Sequence, residues 1–183
     1  MSVYKFSDGR YYDAKGRSLK GMFIPYPLRF TKISSPFGRR YHPTLHRYKM
    51  HEGIDFVNKT GTPIHTVADG KVIYKGWMHG YGKTVKIKHA NGYITLYAHL
   101  HGYAHITKNQ YIKRGKVIGY LGNTGRSTGP HLHFGVMLNN KWINPSRIKR
   151  SAKVVLYGER KKQFLAFKKS IEHKSAQAKV AMK

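Results

Sequence analysis

The stretch from residue 51 to residue 145 consists of short segments rich in β-branched and aromatic residues, separated at regular intervals by Gly and Asn. This pattern is typical of an all-β sandwich or barrel. The segments predicted as strands are 64–67, 71–74, 84–89, 93–99, 117–121, 131–138 and 141–143. Asn91-Gly92 is the clearest hairpin turn, because these two residues readily adopt the positive φ that such turns need. We therefore predict a mainly β domain, an antiparallel β-sheet sandwich or barrel.

The two ends of the chain differ in character from this β region. Residues 1–33 carry short aromatic runs broken by turn signals, and we interpret them as an N-terminal remnant of a preceding region. Near the other end, apolar residues at helical spacing among lysines predict a basic amphipathic α-helix over 157–178. The predicted organisation is therefore a remnant at 1–33, a β domain at 34–148 and a basic C-terminal helical extension at 149–183.

The charge of the chain is strongly unbalanced, with 35 Lys and Arg against 7 Asp and Glu, a net charge of +28. Such a balance predicts attraction to polyanions, either nucleic acid or an anionic envelope polymer. The absence of cysteine excludes disulfides, thiolate nucleophiles and Cys-type zinc sites. No apolar run has the length of a membrane helix, and Met1 is not followed by a signal peptide. These features predict either a cytoplasmic protein or a truncated form that lacks its leader.

The segment His131-Leu132-His133 carries the first candidate metal ligands. Side chains alternate across a strand, so His131 and His133 share one face, next to Gly135, while the residues between them face the core. Two histidines that face the same open space suit a metal ion better than they suit a core.

A second candidate ligand pair is His51 and Asp55, four residues apart. Catalytic zinc takes three protein ligands and leaves a fourth position open, and two histidines with one carboxylate meet that need without cysteine. Neither motif is specific alone, because 12 histidines in 183 residues produce chance pairs. The His-Glu-x-x-His zincin helix does not fit here, because position 55 is Asp and Gly53 weakens a helix. A further histidine, His99, is predicted to end the strand 93–99 on its polar face.

Five motifs in order identify a family resemblance. They are MHEGIDF at 50–56, ADGKV at 68–72, GYGKTV at 80–85, LYAHL at 96–100 and GNTGRSTGPHLHF at 122–134. Together they closely resemble the lysostaphin/LytM-type zinc metallopeptidases, which cut peptidoglycan cross-links. The resemblance covers about residues 34–148 and implies an antiparallel β domain whose groove holds one Zn²⁺ per chain.

The resemblance also implies which residues act. The zinc ligands of the family fall on His51, Asp55 and His133, and its two catalytic histidines fall on His99 and His131. Zinc lowers the pKa of a bound water toward ~7. The two histidines can orient or deprotonate the water, stabilise the oxyanion and protonate the leaving amine, and the sequence does not decide which does which.

Residues flanking the motifs indicate a subgroup. Residues 11–19 and 34–39 resemble Gram-negative periplasmic members, whose N-terminal domains can cover the groove. This resemblance implies a D,D-endopeptidase for the D-alanyl–diaminopimelate cross-link, a periplasmic or envelope location, and a role in cell-wall remodelling and cell shape. We expect a monomer that acts on peptidoglycan peptides, with no nucleic-acid partner, no membrane span, and inhibitory N-terminal domains missing from this chain.

Two other functions are compatible with parts of the sequence. A wall-binding or amidase-regulating module predicts at least one missing ligand or catalytic histidine, and none is missing. A nucleic-acid binder is suggested by the charge and the aromatic residues, but the lysines are spread along the chain and no RNA-binding motif occurs.

The resemblance bears on two further kinds of residue. Some relatives carry a tyrosine near the oxyanion, for which Tyr41 and Tyr48 are the candidates. Glu52 is expected to lie outside the set of ligands or in solvent.

Overall fold

Antiparallel strands make up most of the regular structure in the computed structural model, which describes residues 2–42, 47–148 and 153–181. The first strands are β1 (Tyr4–Lys5), β2 (Tyr11–Tyr12), β3 (Arg17–Gly21), β4 (Lys32–Ser35), β5 (Gly38–His42), β6 (Arg47–His51), β7 (Gly53–Val57), β8 (Pro63–His65) and β9 (Gly70–Met78). There follow β10 (Gly82–His89), β11 (Tyr93–Ala98), β12 (Leu100–Tyr103), β13 (Tyr111–Ile112), β14 (Val117–Leu121), β15 (His131–Leu138), β16 (Lys141–Ile143), β17 (Lys153–Val155) and helix α1 (Gly158–Ala181).

The chain divides into two compact units. One unit is formed by residues 23–150, and the other combines residues 1–22 with residues 151–183. The boundaries predicted from sequence, after residues 33 and 148, stay a prediction, and residues 149–152 lie outside the described part of the chain.

The larger unit is built on an eight-stranded sheet. Its strand order is β13-β9-β10-β11-β15-β7-β4, and β16 pairs with β15 beside this path. A three-stranded sheet, β12-β14-β8, and a two-stranded ribbon, β5-β6, complete the unit. The prediction of a mainly antiparallel β fold with a C-terminal helix is confirmed.

One face of the central sheet forms the core, as the alternation of β15 predicts. Leu132, Phe134 and Val136 are buried, and across the sheet Phe134 pairs with Ile54 and Leu132 pairs with Phe56. Burying such a side chain stabilises the fold by roughly 1.5–3 kcal/mol. The residues between them on β15 therefore point to the opposite face of the sheet.

Two of the connections between strands have the backbone conformation that their residues predict, and a third connection differs from its prediction. Asn91 has a φ of 57° in the turn between β10 and β11, and Asn139 and Asn140 have φ of 49° and 63° between β15 and β16. Positive φ at these positions matches the twist of the strands they join. The Ser, Pro and Gly residues within 34–38 predict a turn, but this stretch contains the end of β4 and the start of β5. The basic segment after them forms the ribbon, whose exposed strands satisfy each other's backbone groups without an apolar face.

The smaller unit has its own core. Strands β1, β2, β3 and β17 form a four-stranded sheet, and the predicted helix is present as α1. Tyr4, Phe6, Tyr12, Leu156 and Phe164 are buried together.

The apolar face of α1 is narrow. Phe164 is fully buried and its ring lies 5.4 Å from that of Phe6. Ile171, which the helical spacing predicts on the same face as Phe164, is 42% exposed. Among the described residues, no helix combines the length and the apolar character needed to cross a membrane.

A buried histidine lies inside the larger unit. The His89 ring places Nδ1 2.9 Å from the carbonyl oxygen of Asp69 and Nε2 2.7 Å from Oγ1 of Thr95. Nδ1–H donates to the carbonyl oxygen of Asp69, and Nε2 contacts the threonine hydroxyl. Burial lowers the pKa of His89 to about 4.

We expect stability to fall as the pH drops from about 6.5 to about 4, because the unfolded chain binds a proton at His89 that the folded chain rejects. The loss of free energy of unfolding from this residue is about 3 kcal/mol. Urea denaturation at pH 7 and pH 4.5 measures it. His89→Gln should show a smaller difference between the two pH values, while the exposed control His105→Gln should behave like the wild type. An unchanged difference in His89→Gln would contradict the assignment.

Candidate functional site

A cleft of about 430 Å³ lies over the polar face of the central sheet. Its lining includes all five residues that the sequence singled out: His51, Asp55, His99, His131 and His133. They come from β6, β7, the β11–β12 connection and β15, so the cleft depends on strands that are far apart in sequence.

Three of the five form a compact cluster. Strand pairing sets Asp55 directly opposite His133, and His51 ends the neighbouring ribbon strand. Oδ1 of Asp55 lies 2.9 Å from Nδ1 of His133 and 3.1 Å from Nε2 of His51. The two ring nitrogens are 3.0 Å apart. All three residues are buried.

The donor set of this cluster fits a metal ion. Nδ1 of His51 lies 2.7 Å from the carbonyl oxygen of Pro36, to which it donates its proton, so the lone pair of Nε2 faces Asp55 and His133. One ligand atom from each of the three residues lies within 4.8 Å of the others. Two imidazole nitrogens and one carboxylate oxygen are ligands of the kind found in catalytic metal sites with three protein ligands. The cluster could therefore hold a metal ion.

The protonation states agree with this interpretation. Burial works to raise the pKa of Asp55, but its close contacts with the imidazoles of His133 and His51 outweigh burial and hold the pKa of this carboxyl well below its usual range. Burial lowers the pKa of His133. At neutral pH the cluster thus offers an ionised carboxylate and a neutral imidazole, the forms that bind metal.

The other two histidines lie beside the cluster. His131 is held by its Nδ1, 2.8 Å from the carbonyl oxygen of Gly129, and its Nε2 lies 3.8 Å from Oδ1 of Asp55. The rings of His99 and His131 are 4.7 Å apart. Burial lowers the pKa of His99 to about 4, so its ring is neutral at physiological pH.

His99 is anchored at both its backbone and its ring. It follows β11 rather than ending it, with a φ of 59°, and its N–H donates to the carbonyl oxygen of Tyr81 over 2.8 Å. Its Nδ1 donates to the carbonyl oxygen of Thr124 over 2.7 Å.

Thr124 is itself fixed by its hydroxyl. Oγ1 donates to the carbonyl oxygen of Leu100 over 2.8 Å and accepts from the backbone N–H of Lys83 over 3.0 Å. Gly82, with a φ of 65°, lies so close to Thr124 that a Cβ there would overlap its backbone. Thr124, whose carbonyl orients His99, is therefore held in place by two other segments of the chain, residues 82–83 and Leu100.

One cleft tyrosine was missed by the sequence analysis. Tyr81 lines the cleft, its ring lies 5.3 Å from that of His133, and its hydroxyl donates to Oε2 of Glu52 over 3.3 Å. Burial, together with the charge of Glu52, raises the pKa of Tyr81 to about 12. Tyr41 and Tyr48, the sequence candidates, are 54% and 67% exposed, pack on each other in the ribbon and lie outside the cleft lining.

An arginine was missed as well. Arg40, on β5, lines the cleft and places Nη2 3.5 Å from Oδ2 of Asp55, the carboxylate oxygen that does not contact the histidines. Sequence alone gave no signal for this contact, because Arg40 lies in a run of basic residues with no distinguishing spacing.

Comparisons with known proteins agree on one family. The profile described as peptidase family M23 matches residues 49–145, more than half of the chain. The DD-carboxypeptidase/endopeptidase Mpg of Neisseria meningitidis is 50% identical over 135 residues, which cover 73% of this chain and 31% of that protein. The chain thus spans about a third of the length of this curated relative.

Solved structures give the same result. A zinc-containing peptidase from Vibrio cholerae matches with a TM-score of 0.68 and 37% identity, over 80% of this chain and 46% of that one. The catalytic domain of the antimicrobial peptidase lysostaphin from Staphylococcus simulans matches with a TM-score of 0.55 and 32% identity, over 65% of this chain and 87% of that one.

We expect the cluster of His51, Asp55 and His133 to bind one divalent metal ion per chain. His133→Ala removes a ligand and should weaken binding by at least about a hundredfold. Competition with a chromophoric chelator, after loading with Zn²⁺, measures the affinity. His79→Ala, which changes a cleft residue outside the cluster, is the matched control and should bind like the wild type. Equal affinities for His133→Ala and the wild type would contradict the assignment.

Proposed function

The chain belongs to peptidase family M23, and on that premise we propose that it is a zinc-dependent endopeptidase that hydrolyses the peptide cross-links of peptidoglycan. The observation that carries the proposal is the arrangement of the cleft. Three buried side chains converge their ligand atoms, and two further histidine rings stand beside them with Nδ1 already engaged. That combination provides what metal-assisted amide hydrolysis requires: a metal site and adjacent groups that transfer protons.

His51, Asp55 and His133 are the residues that would hold zinc. When bound, zinc supplies Lewis acidity that polarises the scissile carbonyl and lowers the pKa of water to about 7. The buried setting of the cluster strengthens this effect, because charges interact more strongly away from bulk water.

His99 and His131 carry the proton transfers. Each ring donates Nδ1–H to a backbone carbonyl, so Nε2 of each ring is the nitrogen that can exchange a proton with substrate or water. One ring accepts a proton from the attacking water, whose oxygen bonds to the carbonyl carbon. As the C–N bond breaks, a proton passes from an imidazolium to the leaving amine. Tyr81 is kept protonated by its raised pKa, and its one hydroxyl proton is donated to Oε2 of Glu52.

The substrate we propose is the D-alanyl–diaminopimelate cross-link of Gram-negative peptidoglycan. The matched relative from Neisseria is named a DD-carboxypeptidase/endopeptidase, and the resemblance of the flanking residues points to the same subgroup. The location that follows is the periplasm or cell envelope, and the role is cell-wall remodelling and cell shape. The net charge of +28 favours binding to an anionic envelope, in a salt-dependent way. We further propose a monomer, regulated by inhibitory domains that precede this segment.

Purified sacculi of the diaminopimelate type test the proposal. Mass spectrometry of the soluble muropeptides should show cross-linked dimers converted to monomers by the protein with zinc. Conversion should stop after chelation and in His133→Ala, and persist in the control His79→Ala. Sacculi that bind the protein but stay uncut in every condition would overturn the proposal in favour of a regulatory module.

We expect Thr124 to affect the turnover rate by holding the ring of His99 in its orientation. Thr124→Val removes both hydrogen bonds of Oγ1 and frees the carbonyl that orients the ring, so kcat should fall about tenfold with little change in KM. Metal content should be unchanged, and Thr124→Ser, which keeps the hydroxyl, should restore the rate. Steady-state kinetics on a cross-linked muropeptide dimer give both constants. A serine variant as slow as the valine variant would refute the positioning role.

A further inference from the structure

Arg40 places a positive charge in contact with the cluster of candidate metal ligands. Its Nη2 lies 3.5 Å from Oδ2 of Asp55, while Oδ1 of the same carboxylate faces His51 and His133. The guanidinium is thus separated from the proposed metal position by a single carboxylate group. Its side chain is 30% exposed and lines the cleft, so part of it remains accessible to a substrate.

The hydrogen-bonding capacity of Arg40 is not used up. A guanidinium carries five N–H donors. The recorded contact with Asp55, at 3.5 Å, is at the outer limit of a hydrogen bond, and Nε is buried without a partner in the described structure. Asp55 makes shorter contacts, of 2.9 and 3.1 Å, with the two histidines. A partly buried cation with unused donors is costly, and an incoming anion would offset that cost.

The proposed substrate carries an anion close to the bond that is cut. In the cross-link, the scissile nitrogen is attached to a carbon of the diaminopimelate that also bears a free carboxylate, two bonds from that nitrogen. We propose that Arg40 binds this carboxylate and so selects cross-links whose leaving amine is that of an amino acid. The inference rests on the proposed function and adds a specificity determinant to the same cleft.

Other cations of the cleft are placed less well for this role. Lys49 and Arg126 also line it, and both side chains are exposed. Exposed cations gain little from a single carboxylate, because water and salt screen them. A partly buried arginine gains more, since its planar fork can hold a carboxylate through two parallel hydrogen bonds.

The test compares two substrates in three forms of the zinc-loaded protein: the wild type, Arg40→Gln and the control Arg39→Gln. The substrates are a D-alanyl–diaminopimelate cross-linked dimer with the acceptor carboxylate free and the same dimer with that carboxylate amidated. We expect the wild type to prefer the free carboxylate by about tenfold to a hundredfold in kcat/KM. Arg40→Gln should cleave both at one similar rate, close to that of the wild type on the amidated dimer. Arg39→Gln, which removes the neighbouring charge of the same ribbon strand, should keep the preference.

Each other outcome has a distinct meaning. If Arg40→Gln slows both substrates equally and keeps the preference, Arg40 only positions Asp55 and the inference is overturned. If the wild type cleaves both dimers at the same rate, the inference about Arg40 is overturned, whatever the variants show. A wild type that cleaves neither overturns the proposed function itself.

Discussion

The pairing of β7 with β15 is the constraint on which the cleft depends. It sets Asp55 opposite His133, and on the same strands it sets Ile54 and Phe56 against Phe134 and Leu132 on the core face. A slip of one residue would turn the polar side chains into the core and the apolar ones into the cleft. The free energy gained by burying the apolar face therefore also fixes the register of the candidate ligands.

Close packing next to this pair explains a glycine of the sequence. A Cβ at Gly53 would overlap the ring of His133 and the carbonyl oxygen of Phe134. Gly53 therefore leaves the space in which the His133 ring lies against Asp55. Grouping these side chains buries several polar groups, which costs stability. One of them, Nε2 of His133, has no hydrogen-bond partner in the described structure. Such a cost is expected where buried groups serve a site rather than stability.

Local patterns in the sequence predict much of this structure. The alternation of apolar and polar side chains along 131–138 predicts which face of the sheet carries His131 and His133. The pair Asn91-Gly92 predicts the turn before β11. The grouping of His51 and Asp55 with His133, however, came from the family resemblance, because neither spacing is specific alone.

Contacts between distant segments were beyond the sequence analysis. The contacts of Thr124, Tyr81 and Arg40 join residues that only the fold brings together, and the sequence instead favoured Tyr41 and Tyr48. The sheet that joins residues 17–21 with 153–155 is equally nonlocal, so the two ends of the chain gave no sign of forming one unit.

The central claim is that one metal ion is held by His51, Asp55 and His133, with His99 and His131 beside it as proton-transfer groups. Anomalous diffraction at the zinc edge, from crystals of the zinc-loaded protein, tests it most directly. The account predicts a single peak in the cleft, bonded to Nε2 of His51, Oδ1 of Asp55 and Nδ1 of His133. A peak ligated through His99 or His131, or no peak in the cleft, would contradict it.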